Sequence, residues 1–163
     1  MISVMRKFRS AGVIAALCAG LALSACASKQ ATDSLASGAA VPGSQQDFVV
    51  NVGDRVFFET DQTDLTAQGR STLDKQAQWL QQYGNYSFTI EGHADERGTR
   101  EYNIALGARR AAVVHDYLAS RGIAANRMRT LSYGKERPVA VCDDDSCWSQ
   151  NRRAVTALSG AGT

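Results

Sequence analysis

Residues 91–111 read Glu91-Gly92-His93-Ala94-Asp95-Glu96-Arg97-Gly98-Thr99-Arg100-Glu101-Tyr102-Asn103-Ile104-Ala105-Leu106-Gly107-Ala108-Arg109-Arg110-Ala111. The stretch joins a strand to a helix. Tyr86 to Glu91 alternates, with Phe88 and Ile90 on one side, as a half-buried strand does. Thr99 can cap a helix running to about Arg121, with Leu106, Val113, Tyr117 and Leu118 as its apolar stripe and Gly122 as the residue that ends it. Between the two lies a polar loop bracketed by Gly92 and Gly98. Loops at strand ends are where binding groups concentrate, and a helix N-terminus offers unpaired N–H groups to a ligand carboxylate.

The pattern continues on both sides. Arg55 to Phe58 reads as a short strand. Thr66 caps a helix to about Tyr83 that places Leu73, Ala77 and Leu80 on one face, and Gly84 follows it. Arg129 to Tyr133 and Ala154 to Leu158 read as strands. The order is β-α-β-α-β-β, which packs two helices on one face of a sheet.

The ends belong to something else. Arg6, Lys7 and Arg9 precede an uncharged apolar run from Ala11 to Leu23, too short for a mature bilayer span, so residues 1–25 read as a secretory signal. An uncleaved N-terminal anchor helix is the alternative. Leu23-Ser24-Ala25-Cys26 resembles the bacterial lipobox, which implies a diacylglyceryl group on Cys26. Ala27, rather than Asp, after that Cys implies transfer to the periplasmic face of the outer membrane. Two or more acyl chains anchor a protein stably, at about 0.8 kcal/mol per buried CH₂. Residues 26–46 are mainly Ala, Ser, Gly, Gln and Thr, too poor in bulky apolar side chains to order themselves, and read as the lipidated Cys and a tether. The domain then runs from 47 to 159, and 160–163 form a loose tail.

Of 163 residues, 18 are basic and 16 acidic, a formal charge of +2. Three basic residues and no acidic one lie in the signal, so 15 basic face 16 acidic side chains afterwards. That balance gives no electrostatic footprint for nucleic acid. Cys142 and Cys147 remain in a chain bound for an oxidising compartment, where a loop disulfide is expected. The alternative is a metal site using Asp143, Asp144 and Asp145, which lacks the His of a usual closed zinc set.

The segment 91–111 closely resembles the core motif of the OmpA-like domain family. Ser132-Tyr133-Gly134-Lys135-Glu136-Arg137-Pro138 and Asn151-Arg152-Arg153-Ala154-Val155 match further, so the resemblance covers about residues 50–158. It implies an α+β, OmpA-like two-layer sandwich, with helices packed on one face of a small mixed sheet. It also implies non-covalent binding of peptidoglycan through the diaminopimelate of its stem peptide. By motif position, Asp95 would accept the ligand's ammonium and Arg110 would face its carboxylate. Arg97 and backbone amides beside Gly98 would assist, and Leu106 and Asp61 would line the site. An Asp and an Arg fork complement the two charges that diaminopimelate carries at one carbon. Some members carry a Phe just before the residue matched by Asp61, where this chain has Thr60; Phe58 either serves instead or belongs to the core.

Spacing alone does not bring Asp95 to Arg110, which lies about three turns into the helix. An alternative for Arg110 is a salt bridge to Asp95 or to a sheet-edge carboxylate. The segment Val139 to Gln150 lies outside the general motif and reads as a staple or a partner contact. The resemblance further implies a second partner, the periplasmic β-propeller protein TolB of the Tol system, docking on the polar face around Asp61 to Asp64 and Asp95 to Arg97. A pure protein-interaction module is therefore the rival to wall binding. An enzyme is disfavoured: His93 and Asp95 have an H-x-D look, but the chain has two histidines and no nucleophile elbow, P-loop or H-E-x-x-H. No cofactor is expected beyond the lipid on Cys26.

Overall fold

The computed structural model describes residues 40–160. The segment expected to be a signal, the expected lipidation site Cys26, most of the expected tether and most of the expected tail lie outside the described residues.

Four strands form one sheet in the order β1 (Arg55–Phe57), β4 (Arg153–Ser159), β2 (Ser87–His93), β3 (Met128–Gly134). β4 runs antiparallel to β1 and β2, and β2 runs parallel to β3, so the sheet is mixed. A parallel pair needs a long crossover, which here is the helix α3 (Arg100–Ser120). The earlier helix α2 (Ala67–Gln82) begins at Thr66, whose hydroxyl accepts from the N–H of Gly69. Thr99 caps α3 in the same way, accepting from Tyr102, and Gly122 follows it at φ 89°.

The core is what the strand and helix periods predict. Val56, Phe88, Ile90 and Ala154 project from the sheet onto Leu73, Ala77 and Leu80 of α2 and Ala111, Val114 and Leu118 of α3. Burying one such side chain contributes roughly 1.5–3 kcal/mol. The α3 stripe differs from expectation by one position. Val114 is buried, while Val113 and Tyr117 are only partly covered. The expected stripe followed the apolar residues; the buried face also carries Asn103, Gly107 and Arg110, which an apolar count omits.

Two segments depart from the sequence reading. Residues 40–46, read as tether, lie on the domain: Tyr86 donates its hydroxyl to the carbonyl of Gly43, and Ser44 caps the one-turn helix α1 (Gln45–Asp47). Asp47 then accepts the indole N–H of Trp79 at 2.8 Å. The aromatic rings of Phe48, Tyr83 and Tyr86 surround that indole at 4.6–5.3 Å. Small polar residues order here because the aromatic cluster offers them partners.

The second departure is α4 (Asp145–Asn151), a helix absent from the β-α-β-α-β-β pattern. Its sequence has no apolar period to announce it. It is held by its ends instead: Asp144 accepts from the N–H of Ser146, and Cys142 is bonded to Cys147 across that first turn.

Candidate functional site

Two strand ends and the start of α3 converge at one end of the sheet. After β1, the chain turns through Glu59 to Gln62, with the N–H of Gln62 donating to the carbonyl of Glu59. Asp61 sits in this turn at φ 55°, a left-handed conformation that Asp tolerates better than most residues. After β2, the loop 94–98 is pinned by its carbonyls. Asn103 donates to Arg97, and the Lys135 ammonium donates to Glu96 and Gly98. Gly98 lies at φ 86°, which a side chain would strain.

Arg110 ties these two loops together. Its guanidinium is fully buried, and it donates to the carbonyls of Gln62 (3.0 Å), Glu59 (3.1 Å) and His93 (2.9 Å). Phe58 packs under it, with the guanidinium carbon 5.1 Å from the ring centroid, and is itself core. Burial pulls the group down to about 10, against an opposing contribution from Asp95, so it remains charged at neutral pH. The alternative of a salt bridge to Asp95 is not realised: Arg110 has no ion pair among the described residues.

Asp95 is paired elsewhere. Its carboxylate accepts from Arg97 Nη2 at 2.7 Å, from Arg97 Nε and the Arg97 backbone N–H at 3.2 Å, and from Arg152 Nη1 at 3.4 Å. Burial alone would raise this carboxyl; the hydrogen bonds and charge of Arg97, with Arg152 behind them, outweigh it and hold the group below the usual carboxylate range. Arg152 is buried and spans three elements, donating also to the carbonyl of Phe58 and to Asp145 of α4.

Thr60, Asp61, Arg97, Gly98 and Tyr102 line an open pocket of about 200 Å³. Tyr102 donates to Asp61 at 3.4 Å across it. Asp95 lies behind Arg97. Arg110 and Leu106 are buried and do not line this opening. A groove of about 620 Å³ runs beside β1 and α4 and shares Arg152 and Asp145 with the site. The sequence reading missed three participants: Arg152, Asp145 and Trp148. Trp148 donates its indole N–H to Glu96 and stacks on Arg97. For Arg152 a signal existed, since it lies in the matched motif Asn151 to Val155.

His93, the last residue of β2, makes no side-chain hydrogen bond. Its ring is buried 5.5 Å from that of Tyr133, and neither ring nitrogen has a hydrogen-bond partner, although Nε2 lies 3.9 Å from a carboxylate oxygen of Glu91. Burial, then the charges of Arg153, Arg137 and Arg55, lower it to about 4, so it is neutral at physiological pH.

A fold of this topology, with acidic and guanidinium groups interleaved where two strands end, defines a small α+β domain with a charged candidate binding site. The chain belongs to the OmpA family, whose model matches residues 57–153. It is 68% identical over 157 residues to a peptidoglycan-associated lipoprotein of Rhizobium meliloti, covering 93% of this chain and 89% of that relative. The solved structure of the peptidoglycan-associated lipoprotein from Burkholderia pseudomallei superposes with a TM-score of 0.63 at 39% identity, covering 65% of this chain and 90% of that one. The C-terminal domain of Helicobacter pylori MotB shares the fold, with a TM-score of 0.61 at 22% identity over 66% of this chain and 84% of that one. Proteins of this family are structural, not enzymes.

Proposed function

We propose that this domain binds peptidoglycan non-covalently through the diaminopimelate of the stem peptide. The observation that carries the reading is the charge order at the strand ends. Asp95 and Asp61 offer acceptors for an ammonium, and Arg97 offers donors for a carboxylate, on loops that the buried Arg110 locks together from helix α3. A zwitterionic carbon satisfies both sets at once. The 68% identity to a protein named for its association with peptidoglycan supports the same ligand.

In this reading the lipid on Cys26 anchors the chain in the periplasmic face of the outer membrane, and the domain grips the wall. The link serves envelope integrity and cell division as part of the Tol–Pal system. A modest site suffices, because anchoring many copies beside a repeating polymer raises the effective concentration. No helix among the described residues is long and apolar enough to cross a membrane. Docking of the Tol-system β-propeller TolB on the exposed rim of Asp61, Arg97 and Tyr102 would compete with the wall. Co-sedimentation with purified sacculi tests the proposal. Wild-type protein should pellet and Asp95→Ala and Arg110→Ala should not; pelleting of both variants would exclude this site.

A further inference from the structure

Two guanidinium groups serve the single carboxylate of Asp95. Arg152 is buried and fixed to three elements, whereas the Arg97 side chain is 41% exposed at the pocket. Arg97 is therefore the exchangeable partner. Its other contacts are a long hydrogen bond to the Thr60 hydroxyl (3.4 Å) and the face of Trp148, with the guanidinium carbon 4.3 Å from the ring centroid. The indole is oriented in turn by its N–H, which donates to Glu96 at 3.1 Å.

Trp148 reaches this place only because α4 is held. A helix of seven residues does not sustain itself in water. Three ties fix this one. The Cys142–Cys147 disulfide closes around its N-cap, Arg152 bridges Asp145 to Asp95, and the Asn151 amide exchanges hydrogen bonds with the backbone of Val139 and Ala140.

We propose that Trp148 is a positioning residue of this site, acting through Arg97, and that the stapled α4 serves to present it. The inference rests on the wall-binding reading above. Without ligand, Arg97 fills the place of an ammonium at Asp95. An entering ammonium takes Asp95 and frees the guanidinium, which the indole face keeps at the pocket wall, where it meets the ligand's carboxylate. Stacking on a ring tolerates sliding and rotation of the planar guanidinium, while the ion pair it leaves does not. A zwitterion supplies both charges that the exchange requires. A simple amine takes Asp95 and leaves Arg97 without a new anion, so the arrangement selects for a ligand bearing both groups.

The test compares the mature full-length protein with Trp148→Ala, Trp148→Phe and the double variant Cys142→Ser/Cys147→Ser, by sacculus binding and by the NMR signals of Arg97 Nε–H and the Trp148 indole. Trp148→Ala should weaken binding about five- to tenfold and speed exchange of Arg97 Nε–H with water in the free protein. Trp148→Phe should recover most of the affinity, since a ring face remains. The cysteine variant should weaken binding on its own and add little to Trp148→Ala. Wild-type binding with undiminished affinity in Trp148→Ala, or an unchanged Arg97 signal, overturns this inference and leaves the proposed function standing. Failure of the wild type itself to bind sacculi overturns both.

Discussion

Gly92 and Gly107 meet backbone to backbone. A Cβ built on Gly92 would lie 1.8 Å from the carbonyl oxygen of Gly107, and one on Gly107 would lie 2.4 Å from Ser132 Oγ and 2.8 Å from the carbonyl oxygen of Gly92. This contact lets α3 lie on β2 and so brings Arg110, one turn beyond Gly107, against the carbonyl of His93. Alanine at either glycine should destabilise the domain by about 1–3 kcal/mol, as overpacking does. It should also weaken sacculus binding beyond what the loss of folded protein accounts for. Urea unfolding and co-sedimentation of the two variants would check both effects; a variant as stable as wild type would contradict the close approach.

The buried ring of His93, which makes no hydrogen bond, should leave a signature in acid. Its folded pKa of about 4 lies below the unfolded value of about 6.5. Between these values the unfolded chain binds the extra proton, so stability falls as pH drops from about 6.5 to about 4 and this contribution then levels off. The loss is on the order of 3 kcal/mol, felt mainly through desolvation beside Arg153, Arg137 and Arg55. The His93→Leu variant should lack that part of the slope. Denaturant melts at pH 7 and pH 4.5 that fall equally in both proteins would contradict the assignment.

Asn151 is nearly inaccessible and makes three hydrogen bonds to the backbone of Val139 and Ala140. The Asn151→Ala variant strands those groups and should cost about 1–3 kcal/mol. Because the same bonds seat α4, hydrogen exchange should rise in residues 139–151 before it rises in the sheet. Uniform exchange across the domain would count against a locally fastened loop.

The domain begins earlier than residue 47. Removing residues up to 47 deletes the acceptors of the Tyr86 hydroxyl and the Trp79 indole. Such a truncation should melt several degrees below one that starts before Ala40, with a shift in Trp79 emission. Identical melting curves would restore the longer tether.

The elements that carry an apolar period were legible in the sequence. Thr66, Thr99 and Gly122 mark helix ends in the structure, and Phe88, Ile90, Leu73 and Leu80 are core. What stayed hidden depends on polar contacts between distant segments. The α4 helix has no apolar stripe and exists through a disulfide, a cap and Arg152. The pairing of Asp95 with Arg97 and Arg152, rather than with Arg110, follows from how the loop 94–98 turns, and no spacing rule encodes that turn. Asp61, Asp95, Arg97, Gly98 and Arg110 do converge on one end of the sheet. The structure adds that Arg110 is a buried tie between loops in the ligand-free state.

Recognition of a zwitterionic stem-peptide residue is tested most directly by competition. Sacculi loaded with the protein are challenged with free diaminopimelate or with cadaverine, which keeps two ammonium groups and has no carboxylate. Release by diaminopimelate alone is the predicted result. Equal release by both would show that charge, not the paired groups, holds the protein, and retention in the presence of both would place wall binding outside the Asp95 and Arg110 site.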